Sequence, residues 1–308
     1  MPSIKHSILK YSMNVFGVPM MVKLPPIDHL RSLLETTTMF ATLPWGITFE
    51  MHDFGDFKAE CLNPIRSKPE KVILYLHGGG YVIGSPKTHR ALAGKIAKKT
   101  NLNALVIDYR KAPEHPFPAA LDDALNAYKF LIYKKKYAPE HIVLVGDSAG
   151  GGLVVALQYY LKEHNIPLPV ASVLISPYLD LKQNGKSIQT NARNDRFLDE
   201  FEMRRWARLY APEQDLDNPL ISPLYGNPTG LPPMLIQASE SEVLYDDARR
   251  MASIAKKRGV DVTFQTWKGL VHWWHMFVTI PEAIDATDKI IDFINLHLHE
   301  IETPVNKG

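Results

Sequence analysis

Residues 142–152 read Ile-Val-Leu-Val-Gly-Asp-Ser-Ala-Gly-Gly-Gly. The first four are apolar on both faces, as in a strand buried in the middle of a parallel sheet. Leu153, Val154, Leu157 and Leu161 then fall on one face of a helix. Between them lies G-x-S-x-G, Gly146 to Gly150. A turn this sharp strains the central residue, and small flanking glycines let neighbouring backbone approach it. Ser148 would stand above the sheet at a helix N-terminus, where the dipole favours developing negative charge. The motif alone recurs by chance; strand before and helix after make it a nucleophile candidate.

Outward from this unit the same alternation continues. Val72–Leu76, Ala104–Ile107, Ala171–Ile175 and Met234–Ala238 read as further buried strands, and Val262–Trp267, with mixed polarity, as a strand nearer the edge. Phe57–Leu62 is an early strand. Leu121, Ala124, Leu125, Tyr128, Leu131 and Ile132 form one helical stripe, and Ile284, Ile290, Ile291, Ile294 and Leu298 another. Repeated strand-then-helix order implies right-handed crossovers and an open, mostly parallel α/β sheet flanked by helices. Two regions break the pattern. Residues 1 to about 45 are helical pieces punctuated by Pro19, Pro25, Pro26 and Pro44, and residues from about 180 to 225 form an insertion with a helix near Asp199–Tyr210. They read either as surface decoration or as a two-part cap, leaving 46–308 as the catalytic domain.

Composition narrows the function classes. Of 308 residues, 45% are hydrophobic and 22% charged, which excludes disorder. A formal net charge of +2 gives no bulk electrostatic reason to bind nucleic acid or anionic lipid. The single cysteine, Cys61, excludes an internal disulfide and a cysteine zinc cage and suits a reducing cytoplasm. As an alternative nucleophile Cys61 has no histidine paired to it in sequence. No apolar run reaches the roughly 18 residues of a membrane span. The patchily apolar stretch Tyr11–Val22 is interrupted by Asn14, Gly17 and Pro19 and reads as mature protein rather than a signal or membrane-touching helix.

Serine needs a base, since its hydroxyl is hardly ionised at neutral pH. Of twelve histidines, His272 lies on the loop that follows Val262–Trp267, and His275, three residues on, is the runner-up, read as packing or pocket lining. The HxxH spacing alone does not make a metal site, because no third ligand is evident; no metal or other cofactor is expected. An acid must orient the imidazole. It is sought after Met234–Ala238, where Glu240, Glu242, Asp246 and Asp247 compete. Position favours Glu242, ahead of a helix starting near Tyr245; Asp246 and Asp247 would sit in that helix's first turn, where negative charge is favourable anyway. His77-Gly78-Gly79-Gly80 directly follows Val72–Leu76. It lacks the lysine of a Walker phosphate loop and suits a turn that aims backbone amides at one oxygen. Gly79, Gly80 and Ala149 are the expected oxyanion donors, with a register shift towards Gly78 as the alternative. Tyr81, Trp206, Leu209, Trp273 and Trp274 are candidate pocket residues.

Together, HGGG, Asp108-Tyr109-Arg110-Lys111-Ala112-Pro113-Glu114-His115-Pro116-Phe117-Pro118-Ala119 and GDSAGG resemble the hormone-sensitive-lipase-like esterases, bacterial lipolytic family IV, over about residues 70 to 300. The resemblance implies an α/β-hydrolase fold with a helical cap. It also implies a Ser–acid–His hydrolase working through an acyl-enzyme on small-molecule esters of short to medium acyl chain. Asp108 and Arg110 would pin loops near the oxyanion turn, and copies of the chain could pair as a homodimer through the last strand. Two places depart from the family: Glu242-Val243-Leu244 stands for Asp-Pro-Leu, and His272-Trp273-Trp274 for His-Gly-Phe. An amide or formamide hydrolase on the same machinery is the nearest alternative. A ligand receptor on this fold is a remoter one, since such receptors commonly lose the base.

Overall fold

The computed structural model describes residues 2–7, 26–37, 43–195 and 197–299. Tyr11–Val22 and most of the N-terminal segment therefore lie outside the described residues. Eight strands form one sheet: β1 (Ile47–Asp53), β2 (Lys58–Pro64), β3 (Lys68–Leu76), β4 (Leu102–Asp108), β5 (Ile142–Asp147), β6 (Ala171–Ile175), β7 (Met234–Ser239) and β8 (Val262–Trp267). Their order is β1-β2-β4-β3-β5-β6-β7-β8. β1–β2 and β2–β4 are antiparallel; every pair from β4 to β8 is parallel.

The continuous apolar runs have a direct cause in this architecture. Val72, Leu74 and Leu76 of β3 join a core on one sheet face, while Ile73 and Tyr75 join the core on the other. β5 splits the same way, Ile142 and Leu144 against Val143 and Val145. A strand buried on both faces has no polar side to show, and each fully buried aliphatic side chain contributes ~1.5–3 kcal/mol. Covering the first face are α3 (Ala119–Lys129), α4 (Ala149–Glu163) and α7 (Tyr245–Lys257); α2 (Pro86–Thr100) and α8 (Pro281–His299) cover the second. α1 (Ile27–Thr37) precedes the sheet.

The expected elements are present, with instructive deviations. Helix α3 ends at Lys129, and its apolar stripe runs on through a π-helical turn at Phe130–Lys134. In α8, Ile290, Ile291, Ile294 and Leu298 are buried, but Ile284 is 40% exposed. The inward positions of the first turns are taken by the smaller Ala283, Ala286 and Thr287. β1, absent from the sequence reading, is an edge strand whose side chains are mostly exposed, so it leaves no apolar run to detect.

The β6–β7 connection, residues 176–233, carries α5 (Ser187–Thr190) and α6 (Glu200–Tyr210), with Asp199 capping α6 through bonds from the N–H groups of Phe201 and Glu202. α1 is held by Arg31, whose guanidinium donates to the carbonyls of Val82 and Ala112 and to the carboxylate of Glu114. That pairing holds the Glu114 carboxyl down at about 2.

Candidate active site

Ser148 joins β5 to α4 with φ 50° and ψ −122°, a conformation that costs a non-glycine residue about 1–3 kcal/mol. The surroundings enforce it. The Ser148 N–H donates to Ile175 O at 2.8 Å, and its carbonyl accepts from Tyr178 and Gly152. A β-carbon at Gly146 would meet Gly150 O at 2.4 Å, and one at Gly150 would meet Leu76 O at 2.0 Å and His77 O at 2.6 Å. Those contacts are backbone and cannot yield. Gly150→Ala is expected to destabilise the fold by about 3 kcal/mol or more, lowering Tm by roughly 6 °C or more; thermal unfolding followed by circular dichroism checks it, and an unchanged Tm would refute the packing.

The loop after β8 brings His272 to this turn. Its Nε2 lies 3.1 Å from Ser148 Oγ, and its Nδ1 lies 3.0 Å from Glu242 Oε2. Glu242 follows β7, is fully buried, and its Oε1 accepts from the Ser239 N–H at 3.1 Å. The three residues singled out as nucleophile, base and acid thus form one hydrogen-bonded line. Burial alone would push the His272 imidazole down; the bond and charge of Glu242, with Asp195 and Asp147 behind, outweigh it and leave the imidazole above its ordinary value. Burial raises the Glu242 carboxyl, and the bond to His272 only partly offsets this.

The other carboxylates have different employment. Glu240 accepts from Thr266 Oγ1. Asp246 accepts from the Ser187 N–H and from Arg249, and Asp247 accepts from the N–H groups of Leu179 and Asp180. His275 is buried with Nε2 2.9 Å from Gln237 Oε1 and its ring against Trp274, and burial pushes it down to about 3. It is a neutral packing residue. Among the described residues, one group of ligand-type side chains converges, Asp195, Glu242 and His272. Glu242 and His272 are joined by their own hydrogen bond, and Asp195 is held beside them by the backbone N–H groups of Phe197, Val243 and His272.

Gly79 and Gly80 adopt φ 117° and 58° and, with Gly78, line a cleft beside Ser148 and His272. Ala149 is the first residue of α4 and is buried. The cleft walls are mainly apolar: Leu34 from α1, Met203 and Trp206 from α6, with Phe197, Leu244 and Trp273. Of the aromatic pocket candidates, Trp206 and Trp273 are in the wall. Tyr81 instead stacks on Tyr210 at 3.9 Å, Trp274 is fully buried on His275, and Leu209 packs on the core.

Several contacts around the site escaped the sequence reading. Asp147, fully buried, accepts from Tyr75 Oη, His89 Nε2 and Trp273 Nε1 at 2.9, 3.2 and 3.1 Å. Burial would raise its carboxyl, but the neighbouring imidazoles and Tyr75 prevail and lower it. Trp273 holds φ 68°, in the left-handed region that favours glycine, so this bond helps fix a strained backbone next to His272. In the Asp108–Ala119 segment, Arg110 grips Asp123, and Tyr109 Oη donates to His77 O. Asp108 accepts from Lys111 and lies 3.9 Å from His77 Nε2 at the head of the glycine turn. Asp123 carried no signal beyond its place in an amphipathic helix.

Comparison with known proteins agrees with this architecture. Residues 73–276 match a family model described as alpha/beta hydrolase fold. An acetyl-hydrolase of Streptomyces hygroscopicus is 43% identical over 235 residues, 76% of this chain and 78% of that protein. An esterase of Acinetobacter venetianus is 34% identical over 72% of this chain and 74% of its own. Among solved structures, an esterase from the bacterial hormone-sensitive lipase family superposes with a TM-score of 0.91 at 37% identity, covering 97% of this chain and all of that one. With an eight-stranded sheet of this order, a serine on the β5–α4 bend and matches of this extent, the chain belongs to the α/β-hydrolase fold family, in its hormone-sensitive-lipase-like group of esterases.

Proposed function

We propose that this carboxylesterase, a serine hydrolase, cleaves short- to medium-chain acyl esters through Ser148, His272 and Glu242 and an acyl-enzyme. The observation that carries the reading is the unbroken line from Glu242 to His272 to Ser148, at 3.0 and 3.1 Å, opening on an apolar cleft. His272 Nε2 takes the Ser148 proton as Oγ attacks the ester carbonyl. The oxyanion is held by the N–H groups of Gly79, Gly80 and Ala149, which develop their full benefit only as charge builds. The C–O bond to the alcohol then breaks, and His272 returns the proton to the leaving oxygen. Water, deprotonated by the same imidazole, adds to the acyl-enzyme and releases the acid and Ser148.

Residues 1–45 and the insertion near 180–225 serve as a two-part cap over this chemistry; support comes from Leu34, Met203 and Trp206 in the cleft wall. Aromatic and branched walls suit a compact acyl group, in keeping with the acetyl-hydrolase name of one relative. The test is a turnover series on p-nitrophenyl acetate, butyrate and octanoate beside an aryl formamide, with fluorophosphonate labelling of Ser148. Acetate or butyrate should be turned over fastest and Ser148 should carry the adduct. Preference for the formamide would reassign the substrate class, and an unlabelled Ser148 would remove the mechanism.

A further inference from the structure

Behind His272 lies a second carboxylate that the mechanism above does not use. Asp195 belongs to the β6–β7 insertion and is 2% exposed. Its Oδ2 accepts from the Val243 N–H at 3.1 Å, and its Oδ1 accepts from Phe197 at 3.1 Å and from the His272 N–H at 3.4 Å. Val243 adjoins Glu242, so one carboxylate touches the loop that carries the acid and the residue that carries the imidazole. One Asp195 oxygen lies within 4.8 Å of ligand-type atoms of both Glu242 and His272. Four residues earlier in the insertion, Asn191 Nδ2 donates to the carbonyls of Glu240 and Glu242 at 3.0 and 2.9 Å. The insertion therefore grips the acid loop at two points.

We propose that Asp195 is a positioning residue of the hydrolytic site, bracing the Glu242 and His272 loops against each other and supplying a second negative charge to the imidazole. The inference rests on the assignment of Ser148, His272 and Glu242 given above. A carboxylate taking three backbone N–H groups is well suited to stay ionised, because those donors replace lost water. Burial pushes its carboxyl up, and the imidazole and these amides oppose that rise. The titratable groups facing the imidazole are Glu242 from the β7–α7 loop, Asp195 from the insertion, Asp147 from the end of β5, and His275 on its own loop. Asp195⁻ favours imidazolium, so its removal should lower the pKa of the base.

The experiment measures kcat/KM for p-nitrophenyl acetate against pH in Asp195→Asn and in Asp195→Ser. The serine variant serves if the amide cannot be accommodated between its amide neighbours. The acid limb should move to lower pH by about one unit, with kcat down about tenfold and KM within twofold. In a Glu242→Ala background, Asp195→Asn should remove a further factor of about ten, because the second carboxylate beside the imidazole is then gone and Asp147 alone is left. A limb unmoved within about 0.1 unit, or a double variant no slower than Glu242→Ala alone, overturns the proposal and leaves Asp195 a loop staple. Ser148→Ala, assayed alongside, tests the nucleophile independently, so a silent Asp195 beside an inactive Ser148→Ala defeats this inference only.

Discussion

Replacing Ser148 by alanine should lower kcat on p-nitrophenyl acetate by about 10⁴- to 10⁶-fold while KM and Tm stay close to wild type. The reasons are local. The side chain contributes a hydroxyl to His272 and little to the core, and alanine meets the same backbone strain at φ 50° that serine does. The walls from α1 and α6 are untouched, so substrate should bind as before. What disappears is the atom that forms the acyl bond, leaving the glycine turn to act on water alone. Intact-protein mass spectrometry after fluorophosphonate treatment gives the second readout: one adduct on wild type, none on the variant. Retention of most activity would transfer the nucleophile's role elsewhere.

Glu242→Gln should lower kcat by roughly 10³- to 10⁴-fold, through the proton's position and not through bulk. In the wild-type protein Oε1 takes the Ser239 N–H and Oε2 faces Nδ1 of His272. A glutamine that keeps its oxygen on Ser239 must turn its NH₂ towards Nδ1. Nδ1 then accepts, Nε2 carries the proton, and an N–H faces Ser148 where a lone pair is required. The pH profile supplies the sign. His272 acts as a base only when neutral, so kcat/KM falls as pH drops through its pKa, which Glu242 helps hold above the ordinary histidine value. Without that charge the acid limb should move to lower pH. A loss under tenfold with an unmoved limb would remove Glu242 as the orienting acid.

The legibility of this protein in its sequence follows its burial. β3, β5, β6 and β7 are apolar on both sides and declare themselves as runs; the mostly exposed β1 does not. Ser148, Glu242 and His272 were each reachable because each lies just after a strand, in the loops at one end of the sheet. Asp195 was not, because it sits in irregular chain whose position depends on what it touches. The same holds for the bond between Asp147 and Trp273: each is one residue from a recognisable partner, but only tertiary folding sets the bonded atoms 3.1 Å apart. The Arg110–Asp123 pair likewise bridges a loop and a helix with no periodicity to link them.

The cleft takes its roof from two stretches remote from each other along the chain, α1 ahead of the sheet and α6 between β6 and β7, and its reactive floor from strand ends. Selectivity and reactivity are thereby separable for an engineer: Leu34 or Met203 can be resized with the proton path left in place. Gly80 is where that independence ends. A β-carbon there would strike the Trp206 ring at 2.4 Å, so the floor's donor turn and the roof's largest side chain occupy adjoining space and must be redesigned as a pair.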